Sequence, residues 1–235
     1  MTQRRHSYKS LFFDLDDTLW DTAHNNKVCL EEIYYAYHFG RYYPSFDDFF
    51  DKYMPHNLML WEQYRNHVID RRTLILERFL YVLRPMGIDD EAFIIKLNND
   101  FLLRTATKTK LVDGAIALLD YLFNRYRLFI LSNGFREIQF LKMQNAGLAP
   151  YFERLFLSED VSIQKPHPKI FDYALKSANA RRFESLMIGD SYEADIVGAQ
   201  NARIDQLWLN PSHKSPPGHP PTFTVFSLAE IKEIL

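Results

Sequence analysis

The stretch Leu11-Phe12-Phe13-Asp14-Leu15-Asp16-Asp17-Thr18-Leu19-Trp20 decides how the rest of the chain is read. Its apolar first half has the character of a buried parallel strand. It then runs into three acidic residues and a threonine. A buried strand does not ordinarily finish in a knot of carboxylates, because crowded like charges repel and lose hydration. On this segment alone two readings are open. One is a solvated acidic turn. The other is a set of oxygen ligands for a hard divalent cation such as Mg²⁺, which takes one or two carboxylates and completes its shell with water and substrate phosphate.

Working outward, strands and helices alternate after Val112-Asp113-Gly114. Strands are expected at Arg127 to Ser132, Leu155 to Leu157, Ser185 to Gly189 and Gln206 to Leu209, with helices over Phe135 to Gln144, Pro168 to Ala178 and Glu193 to Asn201. Such alternation implies a mainly parallel sheet, to which the first strand also belongs. Between them, from Thr22 to Arg104, apolar residues recur at helical spacing (Ile33, Tyr34 and Tyr37; Leu74, Ile75, Phe79 and Val82). Breaks are expected at Gly40, Pro44-Ser45, Pro55 and Pro85 to Gly87. No strand interrupts this block, which reads as four or five helices. The expected architecture is α/β: a Rossmann-like, doubly wound parallel sheet formed by residues 1–21 and 105–235, with an α-helical domain of residues 22–104 inserted after the first strand. In such sheets ligands bind beyond the carboxyl ends of the strands.

The bulk composition narrows the function. The 235 residues are 47% hydrophobic and 25% charged with a formal net charge of −2. That is enough apolar material for a full core, and gives no electrostatic case for nucleic acid or a membrane surface. The Arg4-Arg5-His6 cluster reads as a solvated terminus. Cys29 is the single cysteine, so no intrachain disulfide is possible, and a buried, inert thiol is expected. No segment reads as a signal peptide and no apolar run approaches ~18 residues, so a reducing cytoplasmic setting without a membrane span is expected. Ser212 to Pro221 reads as an exposed loop.

Four groups of polar residues fall at the carboxyl ends of these strands or in the loops that follow. They are Asp14 and Asp16; Ser132-Asn133-Gly134; Lys165 in Gln164-Lys165-Pro166-His167-Pro168; and Asp190 with Asp195 in Gly189-Asp190-Ser191-Tyr192-Glu193-Ala194-Asp195. Singly, each has an ordinary explanation as a turn, a helix cap or a solvated lysine. Together, in this order and with complementary chemistry, they read as one site.

These residues resemble the haloacid dehalogenase (HAD) superfamily motif by motif: Asp14 to Thr18 the first, Ser132 the second, Lys165 the third, Asp190 with Asp195 the fourth. The helical block sits where that family carries its cap domain. Phe13 to Asp21, Ser158 to Leu175 and Ile188 to Pro211 look most like the branch containing pyrimidine 5′-nucleotidases. One departure is Arg203, where relatives commonly carry glycine; a turn without positive φ is expected there.

The resemblance implies a phosphomonoester hydrolase. Asp14 would attack phosphorus to form an aspartyl-phosphate. Asp16 would serve as acid to the leaving oxygen and then as base to water, with its pKa raised relative to that of Asp14, which contact with the metal would keep ionised. Mg²⁺ would be held by Asp14, the backbone carbonyl of Asp16 and Asp190. Ser132, Asn133 and Lys165 would bind phosphate through side chains and nearby N–H groups. Asp195 would orient either Lys165 or a metal-bound water. The carboxylate at Asp16 argues against a dehalogenase, which protonates no oxygen leaving group. The expected substrate is a small phosphorylated metabolite, with a nucleoside 5′-monophosphate among the candidates, acted on by a monomer or homodimer. The alternatives are a sugar phosphomutase and a non-catalytic binding protein. The cap is expected to close over the site and select the substrate.

Overall fold

Six short apolar segments make one parallel sheet in the computed structural model, which describes residues 7–235; the Arg4-Arg5-His6 cluster lies outside the described residues. The strands are β1 (Ser10–Phe13), β2 (Arg127–Ser132), β3 (Arg154–Leu157), β4 (Ser185–Gly189), β5 (Asp205–Leu209) and β6 (Phe223–Val225). Their order is β3-β2-β1-β4-β5-β6, the doubly wound arrangement in which strand order reverses between β1 and β4 and opens a crevice at their carboxyl ends. Register places Phe13 opposite Ile130 and Ile188. The next residue, Asp14, still donates its N–H to the Ile188 carbonyl (2.9 Å), so the acidic knot starts where the sheet stops.

Successive side chains of each strand feed opposite faces. Leu11, Phe13, Ile130 and Ile188 join a core with Leu118 and Leu122 of a helix over Ala115–Leu122. Phe12, Phe129, Phe156 and Met187 join another with Ile170 and Phe171 of a helix over Pro168–Ser177. Both faces are therefore covered, which is why these strands read as continuous apolar runs. Each such Phe or Leu contributes about 1.5–3 kcal/mol by leaving water.

Two local details differ from the sequence expectation. The helix expected over Glu193 to Asn201 opens with a π-helical turn, Tyr192–Val197, before an α-helical Gly198–Asn201. This widened turn carries Asp195, as such insertions often do at functional positions. Arg203 has φ 58°, so the turn does need the left-handed conformation that glycine adopts without strain. Its N–H donates to the Gln200 carbonyl (2.9 Å), which fixes the backbone there whatever the side chain. β6 escaped the sequence reading because three residues behind a proline-rich loop carry no resolvable period; that loop, through Pro220, is exposed as expected.

The chain divides into two compact units, one made of residues up to Thr22 and from Thr109 onward, the other of Ala23–Lys108. Apart from Thr22, which opens α1, the second is built from α1 (Thr22–Ala36), α2 (Phe46–Arg65), α3 (Arg71–Leu83) and α4 (Glu91–Ala106). Side-chain caps start three of them: Ser45 Oγ accepts from the Asp48 N–H, Asp70 from Thr73, and Asp90 from Ala92, each satisfying a donor the helix leaves open. Pro55 does not break the chain where a break was expected; it lies inside α2. Phe49, Tyr53, Leu60 and Tyr64 on both sides of it are buried, and that packing offsets the lost hydrogen bond and ring clash, about 3 kcal/mol. Cys29 is fully buried, with its thiol pushed up to about 11 by burial, the inert state expected. Among the described residues no helix is long and apolar enough to cross a membrane.

The candidate active site

The remaining helix that matters to the site, α6 (Arg136–Asn145), follows β2; the helix over Ala115–Leu122 is α5 and that over Pro168–Ser177 is α7. At the carboxyl end of the sheet, Lys165 gathers the groups that the sequence separates. Its ammonium donates to Asp14 Oδ1 (2.6 Å), to Asp195 Oδ1 (2.6 Å) and to the Leu131 carbonyl (2.7 Å). Only 2% of Lys165 is exposed, so its three protons are fully used, as burial of an ammonium requires. Asn133 fixes the loop that carries it: the Lys165 N–H donates to Asn133 Oδ1 (2.8 Å) and Asn133 Nδ2 donates to the Lys165 carbonyl (3.0 Å). The Asn133 side chain is thus committed at both ends.

Asp195 is fully buried and accepts from Lys165 on one oxygen and from the Ser191 N–H (3.1 Å) on the other. A Cβ on Gly189 would stand 2.2 Å from Asp195 Oδ2, so glycine at that position permits the approach. Asp190 receives the Thr18 hydroxyl (3.0 Å). The acidic pair Glu159-Asp160 beyond β3 stays outside this group: Glu159 accepts from the Arg136 N–H at the start of α6, and Asp160 pairs with the Arg136 side chain.

Asp14, Asp190 and Asp195 present carboxylate oxygens that all lie within 4.8 Å of one another. Lys165 contacts the first and third but not Asp190, so negative charge is in excess. Burial pushes Asp14 up to about 7, with Asp195 and Asp16 adding to the rise against the pull of Lys165. Burial, then Asp14, Asp195 and Asp17, raise Asp190 well above the usual carboxylate range. An all-oxygen, electron-rich cluster of this kind fits a hard divalent cation.

Asp16 is held elsewhere. Its Oδ1 accepts from Lys142 Nζ (2.6 Å) and Thr22 Oγ1 (3.1 Å), and its Oδ2 from Gln139 Nε2 (2.5 Å). Burial works against its charge, but these donors outweigh burial and keep its carboxyl below the ordinary range. Without a divalent cation beside them the two aspartates differ: burial raises Asp14, whereas Lys142, Gln139 and Thr22 hold Asp16 low. Ser132 Oγ accepts from Gln139 Nε2 (2.7 Å) and the Gly134 N–H (3.1 Å). Gln139 and Lys142 were not singled out in the sequence, where a glutamine and a lysine on a helix read as solvated. A signal existed: they lie between Ile138 and Met143 on the face of α6 that is buried.

A family model of haloacid dehalogenase-like hydrolases matches residues 8–203. The chain is 34% identical over 227 residues to the pyrimidine 5′-nucleotidase YjjG of Escherichia coli (strain K12), covering 96% of each chain. It is 32% identical to the pyrimidine 5′-nucleotidase PynA of Streptococcus pneumoniae, over 97% of this chain and 95% of the relative. The magnesium-bound crystal structure of the HAD-hydrolase YfnB from Bacillus subtilis superposes with a TM-score of 0.86 at 30% identity, covering 97% and 98% of the two chains. Polar groups brought together at the strand ends, a family-model match over residues 8–203 and relatives matched along nearly their whole length lead to one conclusion: the chain belongs to the haloacid dehalogenase-like hydrolases.

Proposed function

We propose that the protein is a Mg²⁺-dependent phosphomonoester hydrolase of small metabolites, with a pyrimidine nucleoside 5′-monophosphate as the leading substrate. The observation that carries this reading is the convergence of Asp14, Asp190 and Asp195 around Lys165 at the strand-order switch, beside a second, separately held aspartate. The nucleotide substrate is supported by the two full-length nucleotidase relatives.

In this reading Asp14 attacks phosphorus, the bond to the ester oxygen breaks, and that oxygen takes a proton from Asp16. Water then attacks the aspartyl-phosphate, Asp16 takes its proton, and phosphate leaves with Asp14 restored. The N–H groups after Ser132 receive the non-bridging oxygens, and Lys165, its protons held by Asp14, Asp195 and the Leu131 carbonyl, supplies positive charge beside them. Ionised Asp16 suits the second step directly; the charge of an incoming phosphate opposes that ionisation and favours the acid form needed for the first. Asp14, Asp190 and the Asp16 carbonyl would hold Mg²⁺, which when bound keeps Asp14 ionised and offsets repulsion between carboxylate and phosphate.

The test is phosphate release from nucleoside monophosphates, sugar phosphates and p-nitrophenyl phosphate, with Mg²⁺ and with chelator, beside Asp14→Asn. Turnover that needs Mg²⁺ and vanishes in a folded Asp14→Asn protein is expected. Full turnover in chelator, or in that variant, overturns the assignment. Isomerisation of a hexose phosphate without phosphate release would make the protein a mutase instead.

A further inference from the structure

Lys165 serves Asp14, and α6 places a second buried lysine on Asp16. Lys142 is 6% exposed, and among the described residues its one ion pair is with Asp16. Its ammonium also stands 4.0 Å from the ring of fully buried Trp20, an aromatic face that fixes the cation from the other side. One turn earlier on the same face, Gln139 bridges Asp16 Oδ2 to Ser132 Oγ through a single Nε2. It can do so only because residue 134 is glycine: a Cβ there would lie 2.3 Å from that nitrogen. Both Asp16 oxygens are thereby held, and one is tied to the hydroxyl expected to meet phosphate.

A buried lysine spent on a residue that must exchange protons is costly unless the pairing serves a purpose. We propose that Lys142 and Gln139 are positioning residues for Asp16, which clasp its carboxylate at a set distance from the phosphate-binding hydroxyl. The inference rests on the reading of Asp16 as the proton-exchanging group. It assigns a function to a motif, Gln139 and Lys142 spaced three apart behind Ser132-Asn133-Gly134, that the four strand-end groups do not include.

A double-mutant cycle tests it. Steady-state kinetics with p-nitrophenyl phosphate, whose leaving group needs least help, are measured for the full-length protein with Mg²⁺ and for Lys142→Met, Gln139→Leu, Lys142→Arg, Asp16→Asn and Asp16→Asn/Lys142→Met. Displacement of a catalytic group typically costs about 100-fold. Lys142→Met is expected to lower kcat roughly 10- to 100-fold with KM within about threefold, and Lys142→Arg to recover most of the loss. In the Asp16→Asn background, Lys142→Met is expected to change kcat by less than about twofold, because the two act as a unit. Equal losses in both backgrounds, or no loss in either, overturn the clasp. If Lys142→Met does not fold, Gln139→Leu in the same two backgrounds carries the test. Wild-type turnover in Asp16→Asn would instead remove the reading of Asp16 and leave the nucleophile assignment standing.

Discussion

The two units bury charge in opposite ways. In the sheet unit Asp14, Lys142, Lys165 and Asp195 are all buried, and each has an opposite charge in contact. In the helical unit the buried charge among the described residues is Arg78, 2% exposed, whose Nε and Nη2 donate no hydrogen bond among them. Its guanidinium lies instead 4.8 Å from the Phe101 ring, among rings such as Tyr53 and Phe79, whose centroids are 5.1 Å apart. Desolvating a charge costs several kcal/mol and is offset only by preorganised partners. Where such partners converge, the fold has spent stability on a site. Where a guanidinium meets rings alone, the region is held by apolar and aromatic packing, to which the cation adds a modest attraction.

The sharpest break of this contrast is Lys165→Met. It leaves Asp14 and Asp195 buried without their cation, so a loss of about 3–5 kcal/mol is expected on removing one partner of a buried pair, read by urea unfolding. A loss below 1 kcal/mol would show that the carboxylates carry little charge in the folded protein. Next comes Gly189→Ala, whose added Cβ collides with Asp195. Overpacking of about 1–3 kcal/mol is expected, with activity falling further than stability because Asp195 is driven off Lys165; unchanged kcat would mean that this contact is dispensable.

Smaller effects sharpen the comparison from the outside. Arg203→Gly relieves the positive φ of an exposed residue, and should raise stability by about 1 kcal/mol without touching turnover; a lower melting temperature would show that the Arg203 side chain itself holds the turn. Arg78→Met is expected to leave stability unchanged or to raise it by about 1–4 kcal/mol, since the desolvation it relieves exceeds the modest cation–π attraction it removes. A loss beyond 3 kcal/mol would reveal an acceptor for the guanidinium and erase the difference between the units.

Legibility in the sequence followed the same division. Strands β2 and β4 matched their apolar runs end for end, because a strand buried on both faces has no room for polar residues. Asp14, Ser132 and Asp190 were legible at or directly after strand ends, where polar residues have few structural reasons to be, and Lys165 by its place in the loop before α7. Pro55 misled because a local rule was overridden by packing on either side of it. Arg203 misled because residue type was taken to report backbone conformation, whereas the chain imposed the conformation on an unfavourable residue.

What the linear chain determined by itself was five of the six strands, the insertion and the order of four polar groups, all properties of apolar period and local chemistry. What only the tertiary structure decided was how charge is apportioned among those groups. Lys142 and Gln139 reach Asp16 from 126 and 123 positions away, and the packing of α6 on the sheet determines which aspartate receives the second cation. That contact holds Asp16 low while burial raises Asp14. Electrostatic energy depends on separation through space, and no pattern along the chain encodes it until the helix has a face to bury.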